Sequence, residues 1–258
     1  MWFKLKSYLI FLLKSNNQHG VHSPFIYILV TECFYKKTNS SKKAFFIKIK
    51  KWLISNKKTI LVTDFGKGSK VFKSKKRKAC DITKAAGIST KKALLLIRFI
   101  QYFNLSNILE IGTSDGLGTS TMAISNKNAT ITTLERCKQI SAIAKELFSK
   151  FQLNNIEVIV GTFKKTLPLT LKNHPTNLIY FDGNHQKTAT LEYFNICIQK
   201  ITNESIFIFD DIYRSKEMLE TWEIIKNHPK VTVTINTYHL GFVFFRKEQT
   251  KQHFTIRV

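Results

Sequence analysis

The sequence predicts an α/β fold with a mostly parallel sheet. Two patterns carry that expectation. From Asn107 onward, short β-rich runs alternate with segments of helical spacing, and such alternation builds a parallel sheet covered by helices on both faces. The last two β-rich runs are separated only by Asn236–Gly241, too short for a helical crossover, so they form a hairpin and the final strand runs antiparallel. Composition agrees. The chain has 258 residues, 43% hydrophobic and 12% aromatic with 21 Phe, enough to bury a sizeable core and to exclude global disorder. Ten Gly and four Pro exclude a collagen-like or linker-dominated chain.

The elements follow in order. Trp2–Leu13 is apolar and helical, with two open readings: a helix packed on the domain, which leads, or an interfacial helix with Trp2, Phe3, Leu9 and Leu13 among lipid headgroups. Ser23-Pro24 places a cap and a first-turn proline before a helix from Phe25 to Tyr35. Ala44–Ile54 reads as a basic, amphipathic segment and Thr59–Thr63 as a short β run. Asp64, Gly66, Gly68 and Ser69 form a turn, with a lid over the site as the sharper alternative, and Lys70–Lys78 reads as a solvated basic stretch. Ser89–Phe103 has helical spacing. Strands are expected at Asn107–Ile111, Thr130–Leu134, Ile156–Val160, Leu178–Phe181, Ser205–Phe209, Val231–Ile235 and Phe242–Phe245. Between the first six lie helices near Gly118–Ser125, Lys138–Phe151, Lys164–Leu171, Thr188–Lys200 and Lys216–Lys226.

Charge is lopsided. Lys and Arg number 41 against 17 Asp and Glu, a net +24. Lys36–Lys92 alone holds 19 basic and two acidic residues. A regional basic block suits an anionic partner such as nucleic acid, a membrane surface or a phosphorylated substrate. The bland reading is compositional drift, because Lys far outnumbers Arg. Cys33, Cys80, Cys137 and Cys197 are widely spaced, so neither a zinc site nor a disulfide framework is indicated; a reducing, cytoplasmic setting is the simple expectation. No run is long enough to span a bilayer.

The first long strand leads into Glu110-Ile111-Gly112-Thr113-Ser114-Asp115-Gly116, an acidic residue at a strand end and then a Gly-rich loop opening a helix. Ligands of open α/β sheets bind outside the carboxyl ends of the strands. The next strand ends in Glu135, 23 residues after Gly112, where a carboxylate accepts ribose hydroxyls. A dinucleotide pyrophosphate needs G-x-G-x-x-G, which this loop lacks, and Asp115 would repel it. A phosphate-free ligand with an amine and a sulfonium suits the acids better, which points to S-adenosylmethionine. The plain reading of both features is a strand-to-helix turn and an exposed strand-end Glu.

On these motifs, residues 89–246 resemble class I S-adenosylmethionine-dependent methyltransferases. Within them the chain resembles the O-methyltransferases related to the catechol and caffeoyl-coenzyme A enzymes. His19-Gly20-Val21-His22-Ser23-Pro24-Phe25 is similar to the start of a group of uncharacterised bacterial methyltransferases, a resemblance that implies no substrate. The resemblance implies a Rossmann-like, seven-stranded mixed sheet in the order 3-2-1-4-5-7-6 with strand 7 antiparallel. It implies that residues 89–258 bind the cofactor; residues 1–88 have no counterpart in the catechol enzymes and read as a mostly helical, basic extension acting as lid or as substrate or membrane contact. Glu110, Gly112, Thr113, Ser114, Gly116 and Glu135 would hold S-adenosylmethionine, with Thr162 beside the adenine. In metal-dependent relatives, acids after strands four and five hold the metal. Asp182, Asp210 and Asp211 match that pattern, and such oxygen ligands suit Mg²⁺. His185 stands where catechol-type relatives carry Lys, and an imidazole there can take the hydroxyl proton. Asp182 as a helix cap, Asp210 and Asp211 as loop formers and His185 as a solvated residue are the plain alternatives.

The expected function is therefore methyl transfer to a hydroxyl of a small-molecule or lipid- or glycan-linked acceptor, with metal assistance open. Peripheral contact with an anionic inner membrane face is part of that expectation. An RNA methyltransferase using the basic block is one alternative, although neither an Asn/Asp-Pro-Pro-Tyr/Phe nor a Pro-Cys motif is present and aromatics are not regularly interleaved with the block. A non-catalytic polyanion- or membrane-binding protein on the same scaffold is the other.

Overall fold

The computed structural model describes residues 2–62 and 74–258. The turn at Asp64, Gly66, Gly68 and Ser69 lies outside the described residues. In chain order the elements are α1 (Trp2–Lys14), α2 (Pro24–Leu29), α3 (Ser40–Ser55), β1 (Thr59–Leu61), β2 (Lys76–Lys78), α4 (Ala79–Ala86), α5 (Thr90–Tyr102), β3 (Asn107–Ile111), α6 (Leu117–Ser125), β4 (Thr130–Glu135), α7 (Lys138–Lys150) and β5 (Ile156–Val160). There follow α8 (Phe163–Asn173), β6 (Leu178–Phe181), α9 (Lys187–Cys197), β7 (Ile206–Asp210), α10 (Lys216–Asn227), β8 (Val233–Asn236), β9 (Leu240–Phe244) and β10 (Gln252–Thr255). The expected helix from Phe25 to Tyr35 is α2 continued by a π-helical turn, Val30–Phe34.

Two compact units share the chain, Lys37–Thr170 and a composite of Met1–Lys36 with Leu171–Val258. Neither boundary falls at residue 88, where the sequence reading divides the chain. α2 buries Ile26 and Leu29 within the composite unit, and α3 buries Phe46, Ile49 and Leu53 within Lys37–Thr170.

In Lys37–Thr170, β3 pairs in parallel with β4, and β4 with β5. β3 is an apolar run with four of five residues buried, as a strand covered on both faces requires. β5 is half-exposed along its length. α5 starts at Ser89, whose side chain accepts the Lys92 N–H, and buries Ala93, Leu96, Ile97 and Ile100. α3 buries Phe46, Ile49 and Leu53 at helical spacing and leaves Lys43, Lys48 and Lys51 to solvent, so this part of the basic block is the polar face of an amphipathic helix. The basic stretch after residue 74 is not all solvated coil: Lys76–Lys78 pairs antiparallel with Thr59–Leu61. Main-chain bonds specify that pairing, which side-chain polarity hides.

In the composite unit, β6 and β7 are parallel, β9 is antiparallel to both β7 and β8, and β10 runs parallel to β8. The orders within the two units, third–second–first and fourth–fifth–seventh–sixth, agree with the expected topology. The strand count does not. Eight strands stand in these two orders where seven were expected, because Gln252–Thr255 adds to β8. That strand is polar, half-exposed and four residues long, so it carries no periodic signal. The early residues cover this unit: Phe25 meets Phe244 edge-on at 5.3 Å, Phe34 lies 5.2 Å from Phe242, and Asn16 bonds Thr255 and Arg257 along the main chain. Gly241 lets the Trp222 indole lie on the strand; a Cβ there would sit 2.5 Å from the ring. All four cysteines are buried thiols. Among the described residues no helix is long and apolar enough to cross a membrane.

Candidate functional site

The carboxyl ends of β3 and β4 build a candidate site within Lys37–Thr170. After β3 the backbone turns through left-handed conformations at Gly112 (φ 110°), Ser114 (φ 49°) and Gly116 (φ 84°). Gly116 is the N-cap of α6 and has no room for a side chain: a Cβ would lie 2.8 Å from the Phe148 ring and 3.0 Å from Ala144. Glu135 ends β4. Its Oε2 accepts the Ser114 N–H at 2.9 Å, and its Oε1 accepts the N–H groups of Arg136 and Cys137, both at 2.8 Å. A carboxylate has about four acceptor directions. Three face the backbone, so Oε2 retains capacity for one further donor such as a ribose hydroxyl.

Glu110 is fully buried below the loop, where its Oε2 accepts the hydroxyls of Thr119 and Thr133. Thr133 also meets Thr113 at 2.6 Å, so the strand acid and the loop share one hydroxyl network. Thr119 and Thr133 escape a sequence reading because buried and solvated threonines look alike there. Asp115 differs from expectation. Its Oδ1 accepts the Leu117 N–H at the start of α6 and its Oδ2 accepts the Thr83 hydroxyl at 2.5 Å. It is a buried helix-terminus acid and not a charge facing the ligand. Gly161 N–H bonds the Glu135 carbonyl at 2.8 Å, and the exposed Thr162 follows on this rim, its carbonyl opening α8.

Burial raises the Glu135 pKa, opposed by its bonds to the Cys137, Ser114 and Arg136 N–H groups and by the Arg136 charge. With the folded value above the unfolded one, the linked stability is complete below the unfolded pKa. It is lost as pH climbs through the raised folded value. Thermal melts should therefore show a wild-type minus Glu135→Gln difference that shrinks as pH rises above the ordinary carboxylate range. A pH-independent difference would contradict the ionisation.

The composite unit holds a separate group of candidate residues. Asp182 follows β6, and its Oδ1 lies 3.5 Å from His185 Nε2, both side chains about one-fifth exposed. Asp182 does not cap α9, whose N-cap is Gln186. Asp210 is buried at the end of β7. Asp211 adopts φ 53°, donates its N–H to the His239 carbonyl at 2.8 Å and pairs with Arg214 at 3.3 Å. Asn236 donates to the Tyr213 hydroxyl at 2.8 Å, and Tyr213 stacks on Tyr238 at 4.8 Å. These aromatic rim residues lie outside any motif, so nothing in the sequence marks them.

Residues 109–212 match the Methyltransferase domain family. The fold is that of a class I methyltransferase. Among solved structures, an S-adenosylhomocysteine-bound methyltransferase from Podospora anserina is 13% identical with TM-score 0.62, covering 83% of this chain and 92% of that one. An O-methyltransferase from Bacillus cereus, also in complex with S-adenosylhomocysteine, is 18% identical with TM-score 0.58, covering 85% and 96%. A protein-L-isoaspartate O-methyltransferase from Methanococcus vannielii is 38% identical over 86 residues. That match spans 33% of this chain and only 40% of the relative.

The left-handed glycine loop and Glu135 form a main-chain cradle in which Oε2 keeps one acceptor direction open. The three acids expected to hold Mg²⁺ do not fit one. Among the described residues no group of three or more His, Cys, Asp or Glu side chains is placed to hold a metal ion, and Asp211 is turned to Arg214. A cavity of about 750 Å³ opens at the opposite, amino ends of β4 and β5, lined by Lys42, Phe45, Lys127, Phe151 and Asn155 among others. It is separate from the cradle, and its Lys42 ammonium is held below the usual lysine range by burial and by Lys127.

Proposed function

We propose that this chain is an S-adenosylmethionine-dependent O-methyltransferase acting on a hydroxyl acceptor. The observation that carries this reading is the tie between Glu135 and Ser114, which fixes the ribose-accepting acid against the glycine loop. Glu110, Gly112, Thr113, Ser114, Gly116, Glu135 and Thr162 hold the cofactor: Gly112 and Gly116 by opening the backbone, Glu135 by taking a ribose hydroxyl, Glu110 by bracing the loop through Thr133 and Thr113. S-adenosylmethionine supplies the methyl group, and the carbon–sulfur electron pair leaves with sulfur as S-adenosylhomocysteine. Asp182 and His185 serve the acceptor. With hydrogen on Nε2 facing Asp182, His185 presents Nδ1 as the base for the hydroxyl proton, and Asp182 steadies the resulting imidazolium. The rest of the rate comes from holding oxygen, methyl carbon and sulfur in line.

Calorimetric titration with S-adenosylhomocysteine, in EDTA and then in Mg²⁺, is the direct test. Micromolar binding with the same heat in both buffers is expected. No heat from folded protein would end the cofactor reading and move attention to the basic surface. Once an acceptor is found, His185→Gln should lower turnover by about a hundredfold while leaving cofactor binding unchanged. Full activity in that variant would remove His185 from the chemistry.

A further inference from the structure

α1 is turned the wrong way round for a helix that faces water. Its inward face is small, with only Ser7 and Phe11 buried. Its outward face carries Trp2, Leu5, Leu9 and Leu13, 78%, 53%, 53% and 87% exposed, with Ile10 beside them. Spacings of three, four and four residues put those four side chains on one stripe. Stripes of this kind normally enter a core. An exposed apolar patch of several hundred Å² marks an interaction surface.

The helix is not a loose tail. The Tyr238 hydroxyl donates to the Lys4 carbonyl at 3.0 Å, Tyr8 meets the Tyr238 ring edge-on at 4.9 Å, and Phe11 lies 5.4 Å from it. Tyr238 sits between β8 and β9 with φ 71°, a backbone conformation rare for a bulky residue and held here by its ring contacts. It stacks in turn on Tyr213, and the neighbouring His239 carbonyl takes the Asp211 N–H. A rigid chain of contacts thus joins α1 to the rim that follows β7.

Charge selects the occupant. α1 contains Lys4, Lys6 and Lys14 and no acid, in a chain of net charge +24. Two copies so charged repel each other, which disfavours a second copy on this face. A nucleic acid would meet the lysines but leave the leucine stripe in water. An anionic bilayer satisfies both: the stripe enters the headgroup–acyl boundary, Trp2 sits at the interface, and the lysines meet lipid phosphates. We propose that α1 seats this protein on the surface of an anionic phospholipid bilayer, lying in the interface plane. Membrane seating and cofactor binding are separable, since vesicle flotation reads one and calorimetry the other.

The test is flotation of the full chain with phosphatidylcholine vesicles, with and without phosphatidylglycerol. The comparison is Leu9→Ser/Leu13→Ser, which keeps every charge and alters only exposed positions. Wild type should float with the anionic vesicles, and the double variant should lose about tenfold or more of that affinity with its circular dichroism unchanged. Trp2→Ser serves in the same assay if the double variant loses helicity. Wild type that fails to float would overturn the proposal, as would a variant that floats equally well, because charge alone would then suffice. So would a wild-type dimer in light scattering that becomes monomeric in the variant, which would make the stripe a contact between copies.

Discussion

Replacing Glu135 with Ala should weaken S-adenosylhomocysteine binding by about thirtyfold or more. A hydrogen bond to a charged group is worth about 1.5–3 kcal/mol, and 2 kcal/mol is roughly a thirtyfold change in affinity. The effect exceeds one lost bond, because the same carboxylate holds the Ser114 N–H and thereby the loop on which the ligand rests. Glu135→Asp separates the two contributions. One methylene shorter, it keeps a charge near the ribose but cannot reach both Ser114 and the turn after β4, so its affinity should fall between wild type and Ala. Calorimetry on the three proteins checks the order. Equal affinities would mean that the ligand does not use this acid.

Gly116→Ala should be the most damaging single methyl in the loop, costing about 2–4 kcal/mol of stability. Part of the cost is conformational, since φ 84° disfavours any residue with a Cβ by about 1 kcal/mol. The remainder is overpacking, typically about 1–3 kcal/mol, because the new methyl would stand 2.8 Å from the Phe148 ring. Phe148 is buried against α6 and has little freedom to withdraw. Urea denaturation measures the loss. Phe148→Leu placed in the Gly116→Ala background should recover the overpacking part and leave the conformational part. A Gly116→Ala protein of wild-type stability would show that the loop relaxes away from α7.

Sequence alone carried the fold a long way where side chains report backbone. β3, β4, β5 and β6 end within a residue of their expected limits because apolar runs stop where a turn residue or acid begins. The hairpin of β8 and β9 follows from a linker too short to cross the sheet. Elements fixed by main-chain pairing stay hidden: β10 reads as a polar tail, and β2 as solvated lysines. In the candidate site, Gly112, Gly116 and Glu135 were legible because each does something only its residue type can do. Asp115 and Asp211 were not. An acid at a strand end has the same sequence signature whether it faces a ligand, opens a helix or pairs with an arginine three residues on. Tyr213 and Tyr238 were invisible for a further reason: Tyr238 meets α1 across 234 residues of chain, and Tyr213 stacks on Tyr238.

That long-range meeting bears on how the protein emerges during synthesis. The Tyr238 hydroxyl and the Lys4 carbonyl are 234 residues apart, and the Tyr35 hydroxyl reaches the Arg257 carbonyl across 222. Residues 37–170 carry their own parallel strands, all synthesised before β6. The strands of the composite unit follow, and β8 and β9 come more than 200 residues after α1. At about 5–20 residues per second, α1 leaves the exit tunnel and waits roughly 10–45 seconds for the hairpin that receives it. Throughout that interval all of its apolar side chains, including Phe11, are uncovered. The first surface the nascent chain meets is thus offered a stickier helix than the finished protein presents, and docking of the last strands determines when that excess is withdrawn.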